Sequence, residues 1–182
     1  DYTVELAVDG DTLVSSFEVL MDPRAECSRE DRIAQFEFLK SIRDKVDETH
    51  DAIRHMRSVK SQISGLLGRL DEDDYLAIFE EGRALDSLMT KVEEVLYQTQ
   101  LKSNQDMLNF PIKLNNKLAH IGSLASMGVY RPTDQMMAVR DEISGLIDVE
   151  LANWYALRDE RLPAFNALIR ERAVDLIGVP EE

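Results

Sequence analysis

The fold is decided by residues 28–70, which read SREDRIAQFEFLKSIRDKVDETHDAIRHMRSVKSQISGLLGRL. Apolar residues recur here at alternating intervals of three and four, the spacing of a helix that packs along a seam against other helices. The seam positions are Leu39, Ile42, Val46, Ile53, Met56, Ile63, Leu67 and Leu70, interrupted by Thr49 and Lys60. Ser28 followed by Asp31 resembles a capping box and marks the start. We therefore predict a helix over residues 28–67, roughly 60 Å long, as one edge of an elongated bundle.

The sequence after this helix predicts a second helix that runs back along the first. The acidic residues 71–74 suit a helix N-terminus, because negative charge there favours the helix dipole. The short connection makes the two helices antiparallel, and we expect the second to end near Leu101. Its predicted inner face is Ile78, Leu85, Leu88, Val92, Val95 and Thr99.

Proline and threonine divide the remainder into shorter helices. Pro111 is expected to restart a third helix, and Thr133 is a predicted N-cap for a fourth. Pro163 either kinks the fourth helix or begins a fifth over residues 162–172, and we favour the restart because proline fits a first helical turn. Residues 174–179 read as a short extended tail. The predicted inner face of the fourth helix is Met136, Val139, Ile143, Leu146, Ile147, Leu151 and Trp154.

The N-terminal residues have the alternating pattern of β-strands rather than the helical period. Apolar and polar residues alternate over residues 2–8, Asp9-Gly10 supplies a turn, and residues 12–21 predict a second strand. A lone hairpin is marginal in water, so these half-buried strands must pack on the helices or complete a sheet elsewhere. We thus predict a mainly α fold: a β-hairpin at residues 1–27, then an elongated antiparallel bundle of about four helices at residues 28–182.

Composition limits the classes of partner. The 182 residues carry a formal charge of -14, which disfavours nucleic acids and anionic membranes, and no apolar run is long enough to span a bilayer. A single cysteine, Cys27, excludes an internal disulfide and a cysteine-rich zinc site. Because the sequence starts without Met and within a strand pattern, we expect a fragment of a longer protein.

We find no pattern typical of a metal, cofactor or catalytic site. A di-iron bundle needs two Glu-x-x-His pairs, and no histidine follows a glutamate by three positions. The nearest arrangement, Asp47 with His50 and Asp51 on one helix face, is more typical of a charged surface. His120 lies beside the third helix's apolar stripe, where a packed or hydrogen-bonded histidine is expected. No Gly-x-Ser-x-Gly motif occurs, and Cys27 has no predictable base. We assign no catalytic, metal or cofactor residue.

Two polar segments at the chain breaks are candidate interaction loops. Their Asn, Thr and Pro residues are well explained as helix boundaries, and a binding role remains open. The candidate residues are Asn109, Lys113, Asn115 and Asn116 in the first segment, and Tyr130, Arg131, Asp134 and Gln135 in the second.

Four segments together resemble one bacterial family. They are FEVLMDPR at residues 17–24, LNNKLA at 114–119, RPTDQ at 131–135 and LPAFN at 162–166. They are similar to the C-terminal region of BNR-repeat, sortilin-like β-propeller proteins, commonly labelled glycosyl hydrolases, and the resemblance covers nearly the whole chain. It implies that the hairpin closes a small β-unit after a propeller, and that the parent protein is exported or associated with the cell envelope.

The functional expectation rests on that resemblance. Any hydrolase site of such proteins is expected in the propeller, so this chain is predicted to be a non-catalytic accessory domain. It would dock on its own propeller or on another protein, with a homodimer as a further assembly. The alternative is that residues 109–116 or 130–135 contribute to a composite glycoside-hydrolase site.

Overall fold

The computed structural model describes residues 1–103 and 105–174 and confirms a mainly helical fold preceded by a β-hairpin. The strands are β1 (Tyr2–Val8) and β2 (Asp11–Phe17). The helices are α1 (Arg29–Leu67), α2 (Leu76–Leu96), α3 (Leu114–Ala125), α4 (Asp134–Ala156) and α5 (Leu162–Glu171). Of the extended tail predicted at residues 174–179, only Val174 is among the described residues.

The long helix α1 is the spine of the bundle. Ser28 is its N-cap, as predicted, and its hydroxyl accepts a hydrogen bond from the backbone N–H of Asp31 at 3.0 Å. Helix α2 runs antiparallel along the second half of the spine, where Lys60 donates to Thr90. Helix α3 runs antiparallel along the first half, where the Gln35 amide donates to the carbonyl of Ala125. Thus α2 and α3 lie one after the other along α1.

The third rod of the bundle is made by α4 and α5 and runs parallel to α1. Arg140 donates to Ser41 and, two turns of α1 further on, Tyr155 donates to Glu48. A π-helical segment, Leu157–Arg161, joins α4 to α5 without a break, and Pro163 lies in the first turn of α5. The predicted fifth helix is therefore present, and it is joined to α4 by a π-helical turn. Because α2 and α3 lie one after the other along α1, each cross-section of the bundle holds three helical rods.

The core runs along the whole seam of α1. All eight predicted apolar seam positions are buried or packed against the core, and the polar interruption Thr49 is fully buried. The Thr49 hydroxyl has a hydrogen-bond partner within its own helix, because it donates to the carbonyl of Lys45, four residues earlier. The largest fully buried side chains include Trp154, Met56, Ile78, Leu85, Met89, Leu96, Leu118, Ile147 and Leu151.

Helix boundaries differ from the predictions. The acidic residues 71–74 form turns before α2, which begins at Leu76, and α2 ends at Leu96 rather than near Leu101. Pro111 lies in an extended segment before α3 instead of starting it. The buried stripe of α2 includes Phe79, Gly82, Met89 and Leu96. Two residues of the predicted inner face, Val95 and Thr99, lie off this stripe and are exposed. Early termination of α2 removes the turn on which Thr99 would have faced inward.

In α4 the predicted inner residues divide between two faces. Ile143, Ile147, Leu151 and Trp154 are buried as predicted. Val139 and Leu146 are exposed, together with Val149. Helix α4 carries apolar residues at helical spacing on two faces. The sequence pattern therefore predicts a wider buried stripe than the structure has.

The hairpin is formed but contacts no helix in the described part of the chain. Asp9 and Gly10 both adopt positive φ, as a two-residue hairpin turn requires. Strand β2 ends at Phe17, so residues 18–21 of the predicted strand lie beyond it, and every side chain of both strands is exposed. Packing of the strands on the helices, one of the two expected arrangements, is wrong for the described residues, because no helix there contacts the hairpin. Completion of a sheet elsewhere stays a prediction.

Within the described residues no helix is both long enough and apolar enough to span a bilayer.

Candidate functional site

The break between α2 and α3 opens a groove beside the middle of the spine. Residues 97–113 cross this break, and the cavity there has a volume of about 470 Å³. We call it the α2–α3 groove. Its lining residues are Arg57, Lys60, Thr90, Glu93, Tyr97, Gln98, Thr99 and Leu101.

A buried carboxylate organises the positive charge in the groove. Glu93 on α2 has a side chain only 5% exposed, and it accepts from Arg57 Nε at 2.7 Å and from Lys60 Nζ at 3.4 Å. Lys60 Nζ also donates to the Thr90 hydroxyl at 2.6 Å. The two cations therefore cross-link α1 to α2 and have fixed positions on the groove wall.

Tyr97 connects the groove to a partly buried polar pair behind it, His50 and Asn115. The Arg57 guanidinium lies 5.1 Å from the Tyr97 ring centre, and His50 meets the same ring edge-on. His50 Nε2 and Asn115 Nδ2 are 3.2 Å apart. Asn115 is 6% exposed, and its Oδ1 has no hydrogen-bond partner among the described residues.

The groove continues towards the start of α3. A smaller cavity of about 100 Å³ shares Gln98 and Thr99 with it and is also lined by Glu94, Pro111 and Lys113. The buried Gln98 side chain fixes this region, because its amide donates to the Pro111 carbonyl at 2.8 Å while its oxygen accepts from the Gln100 backbone. Lys113 precedes α3 and makes no side-chain cap.

The two predicted interaction loops lie at opposite ends of α3 and cannot line one site together. In the first loop, Lys113 lines the groove and Asn115 lies behind it, whereas Asn109 and Asn116 are exposed. In the second, Tyr130 donates to the Leu124 carbonyl, Arg131 pairs with Asp31, and Asp134 and Gln135 are exposed in the first turn of α4. In the second loop, Tyr130 and Arg131 therefore have partners within the chain, and its interaction role stays a prediction.

A second groove lies on the other side of the spine, between α1 and α4, and is strongly acidic. It has a volume of about 440 Å³ and is lined by Asp44, Asp47, Glu48, Asp51, Ala52, His55, Trp154, Tyr155 and Arg158. Burial, followed by the hydrogen bond to Glu48, raises the pKa of Tyr155. Burial alone would lower the pKa of Lys45, but Asp148 and Glu48 outweigh it and raise the pKa. The acidic groove continues the general surface charge.

Within residues 1–103 and 105–174, no three His, Cys, Asp or Glu side chains are arranged to hold a metal ion. His120 is exposed on α3, so the packed role predicted for it is wrong, and the hydrogen-bonded alternative stays a prediction. Cys27 is half-buried, and its thiol donates weakly to the Ser28 carbonyl. Trp154 is 2% exposed, and its indole N–H has no partner in the described part of the chain.

Sequence reasoning missed the groove's main residues. Arg57, Lys60 and Glu93 belong to charged runs on two different helices, and only their tertiary pairing distinguishes them from the other surface charges. The one available signal was Lys60, a polar interruption in the apolar seam. Chemically, the groove offers guanidinium and ammonium donors, hydroxyls and an amide, which suits ligand binding rather than nucleophilic catalysis.

Comparison of the chain with protein-family models, curated proteins and solved structures found no match.

Proposed function

We propose that the chain is a non-catalytic interaction module whose hairpin completes a β-sheet of another domain of the same polypeptide. The helical bundle then projects from that domain as a rigid arm. The resemblance to β-propeller proteins makes a β-rich unit beside a propeller the proposed receiver of the hairpin.

The observation that carries this proposal is a one-sided apolar face on the hairpin. Its strand register places Tyr2 opposite Phe17 and Leu6 opposite Leu13, with Val4 and Val8 on the same face. The partners of Val4 and Val8, Ser15 and Asp11, are the two polar residues of this face. The six apolar side chains are each at least 50% exposed: Tyr2, Val4, Leu6, Val8, Leu13 and Phe17. The opposite face carries Thr3, Glu5, Ala7, Thr12, Val14 and Ser16. Such a division is typical of a strand pair with one buried and one solvated face.

The hairpin's size and edges favour a sheet as the receiver. Two strands are marginally stable in water on their own, and a third strand or a covering layer is needed for independent stability. Both outer edges are short, and neither carries a proline or a lysine that would block further pairing. Added strands would satisfy the edge groups, and a layer packed on one side of the enlarged sheet would bury the apolar face.

The bundle itself offers less support for docking through its seam. The apolar seam of α1 is covered by α2, α3 and α4 within the chain. Docking through the spine would require these helices to separate, so the hairpin remains the surface that fits the proposed module.

The test is site-specific photo-crosslinking in the complete natural protein. A photo-reactive phenylalanine replaces Leu6 on the apolar face or, as the matched control, Thr3 on the polar face of the same strand. We expect Leu6 to crosslink to residues outside 1–182 in the same polypeptide, and Thr3 to give little product. Crosslinks from Leu6 only to the helical bundle would refute the module, and crosslinks to a separate protein would refute the assigned receiver.

A further inference from the structure

We propose that the α2–α3 groove binds a small molecule through its oxyanion group, a carboxylate, sulfate or phosphate, with Arg57 and Lys60 as the binding cations. This binding is independent of the hairpin and of the proposed interaction module. A cavity of about 470 Å³ lies within the usual range for small-molecule sites.

The groove is a local exception to the charge of the surface. The chain carries a formal charge of -14, and the groove on the far side of the spine is lined by Asp44, Asp47, Glu48 and Asp51. The α2–α3 groove and its extension combine Arg57, Lys60 and Lys113 with Glu93 and Glu94. Three cations thus meet two carboxylates, and one of these carboxylates is buried beneath the cations.

Glu93 fixes the positions of Arg57 and Lys60 and leaves some of their N–H groups available to bind a ligand. Arg57 uses only Nε for Glu93, so both of its Nη groups have no partner among the described residues. Its side chain is 51% exposed and stacks on Tyr97, which restricts the plane of the guanidinium. A guanidinium with two free parallel donors matches the geometry of an oxyanion.

Neutral groups around these cations can bind the rest of a ligand. Thr99 is exposed on the groove wall, next to the Gln98 amide that the Pro111 carbonyl fixes. Lys113 lies at the far end of the connected cavity, directly before the N-terminus of α3. A ligand with an anionic group at Arg57 and further polar atoms towards Lys113 would follow the groove.

The alternative is that Glu93, Arg57 and Lys60 form only a structural cross-link between α1 and α2. Both explanations predict that removing Glu93 lowers stability. They differ in the response of the parent chain to anions, because only a binding site gives saturable anion binding that depends on Arg57 while the Glu93 carboxylate is still in place.

The experiment is titration of the full chain with sodium acetate, sulfate or phosphate, followed by amide chemical shifts, with ionic strength held constant by chloride. We expect saturable shifts at residues 97–101 and at Lys113, and the three anions identify the preferred oxyanion. Arg57→Gln should weaken binding about tenfold or more, because a charged donor is lost. Arg54→Gln, an exposed arginine one turn earlier that pairs with Asp51, is the control and should bind as the parent does.

Glu93→Gln keeps the proposal testable if Arg57→Gln folds poorly. It should raise anion affinity several-fold, and added anion should raise its melting temperature more than that of the parent. Absence of saturable binding by all three anions, or equal affinity in the parent, Arg57→Gln and Glu93→Gln, would overturn the site and leave the structural cross-link as the explanation.

Discussion

The carboxylate of Asp31 ties the start of α1 to the loop before α4. Arg131 donates to Asp31 Oδ1 at 2.7 Å, and the Ser28 hydroxyl donates to Oδ2 at the same distance. Arg131 is the largest cause of a lowered pKa at Asp31, followed by Ser28. A lowered folded-state pKa means that this stabilisation is present above the ordinary value of 3.8 and is lost as pH falls through the lower folded value.

Replacing Arg131 should therefore raise the pKa of Asp31. We expect Arg131→Gln to move it towards the ordinary aspartate value, and to destabilise the chain near neutral pH by an amount that shrinks below pH 3.8. Carboxyl NMR titration measures the first effect, and urea unfolding across pH measures the second. Arg170→Gln, on α5, should change neither; an unchanged Asp31 titration in Arg131→Gln would contradict the pairing.

Thr49 shows how a polar residue fits a fully buried position. Its hydroxyl bonds to a carbonyl of its own helix that already accepts the helical N–H, so removing the hydroxyl leaves no unpaired group. We expect Thr49→Val to change the free energy of unfolding by less than about 1 kcal/mol. Thr49→Ala also removes a buried methyl group and should cost about 1–2 kcal/mol. Urea denaturation compares the two, and a larger loss for Val than for Ala would contradict this account.

At the scale of elements, two helical glycines have opposite surroundings. A Cβ added at Gly145 on α4 would meet no atom within 4 Å, whereas one at Gly82 on α2 would lie 3.2 Å from Ile63 and Leu67 and 3.4 Å from Phe165. Helices α1 and α5 therefore both pack closely against α2 at Gly82.

The two glycines should respond differently to alanine. Gly145→Ala should raise the free energy of unfolding by about 0.5–1 kcal/mol, because alanine restricts the unfolded chain and favours helix. Gly82→Ala should gain nothing or lose stability, and Gly82→Leu should cost about 1–3 kcal/mol by overpacking. Thermal unfolding followed by circular dichroism measures all three. Equal gains from alanine at both positions would show that the helices do not meet at Gly82.

The helix ends show which elements the sequence could predict. Ser28 and Thr133 were predicted as N-caps, because hydroxyl capping is local chemistry, and both hydroxyls accept from the N–H three residues on. Tyr75 before α2 and Lys113 before α3 are N-cap residues that make no side-chain cap, so no capping side chain marked the starts of these helices. The positions of these starts depend on tertiary packing against α1.

At the scale of the whole molecule, two irregularities lie near the same level of the spine. The break between α2 and α3 lies beside His50 and Arg57, and the π-helical segment after α4 begins beside His55. The two grooves flank α1 at this level. The sequence suggested Lys113 and Asn115 through their polar loop, but Arg57 and Glu93 required the antiparallel register of α1 and α2, which a single sequence does not give.

The hairpin's isolation from the bundle leads to a prediction about the whole chain. Leu6 is 56% exposed, and its strand contacts no helix within residues 1–103 and 105–174, so Leu6→Asp should leave the helical melting temperature within about 2 °C of the parent. Leu118 is fully buried in the core, and Leu118→Asp should greatly lower or abolish the helical transition, because it buries an unpaired charge.

The same Leu6 substitution should behave differently in the complete natural protein. If the hairpin's apolar face packs into a second domain, Leu6→Asp there exposes the strands, and hydrogen exchange of residues 2–17 should accelerate markedly, while Thr3→Asp on the polar face should not have this effect. In the isolated chain both variants should exchange as fast as the parent, because no helix in the described part of the chain packs on the hairpin. If the hairpin of the complete protein exchanges equally slowly in the parent and in Leu6→Asp, the face that carries Leu6 is not the buried one.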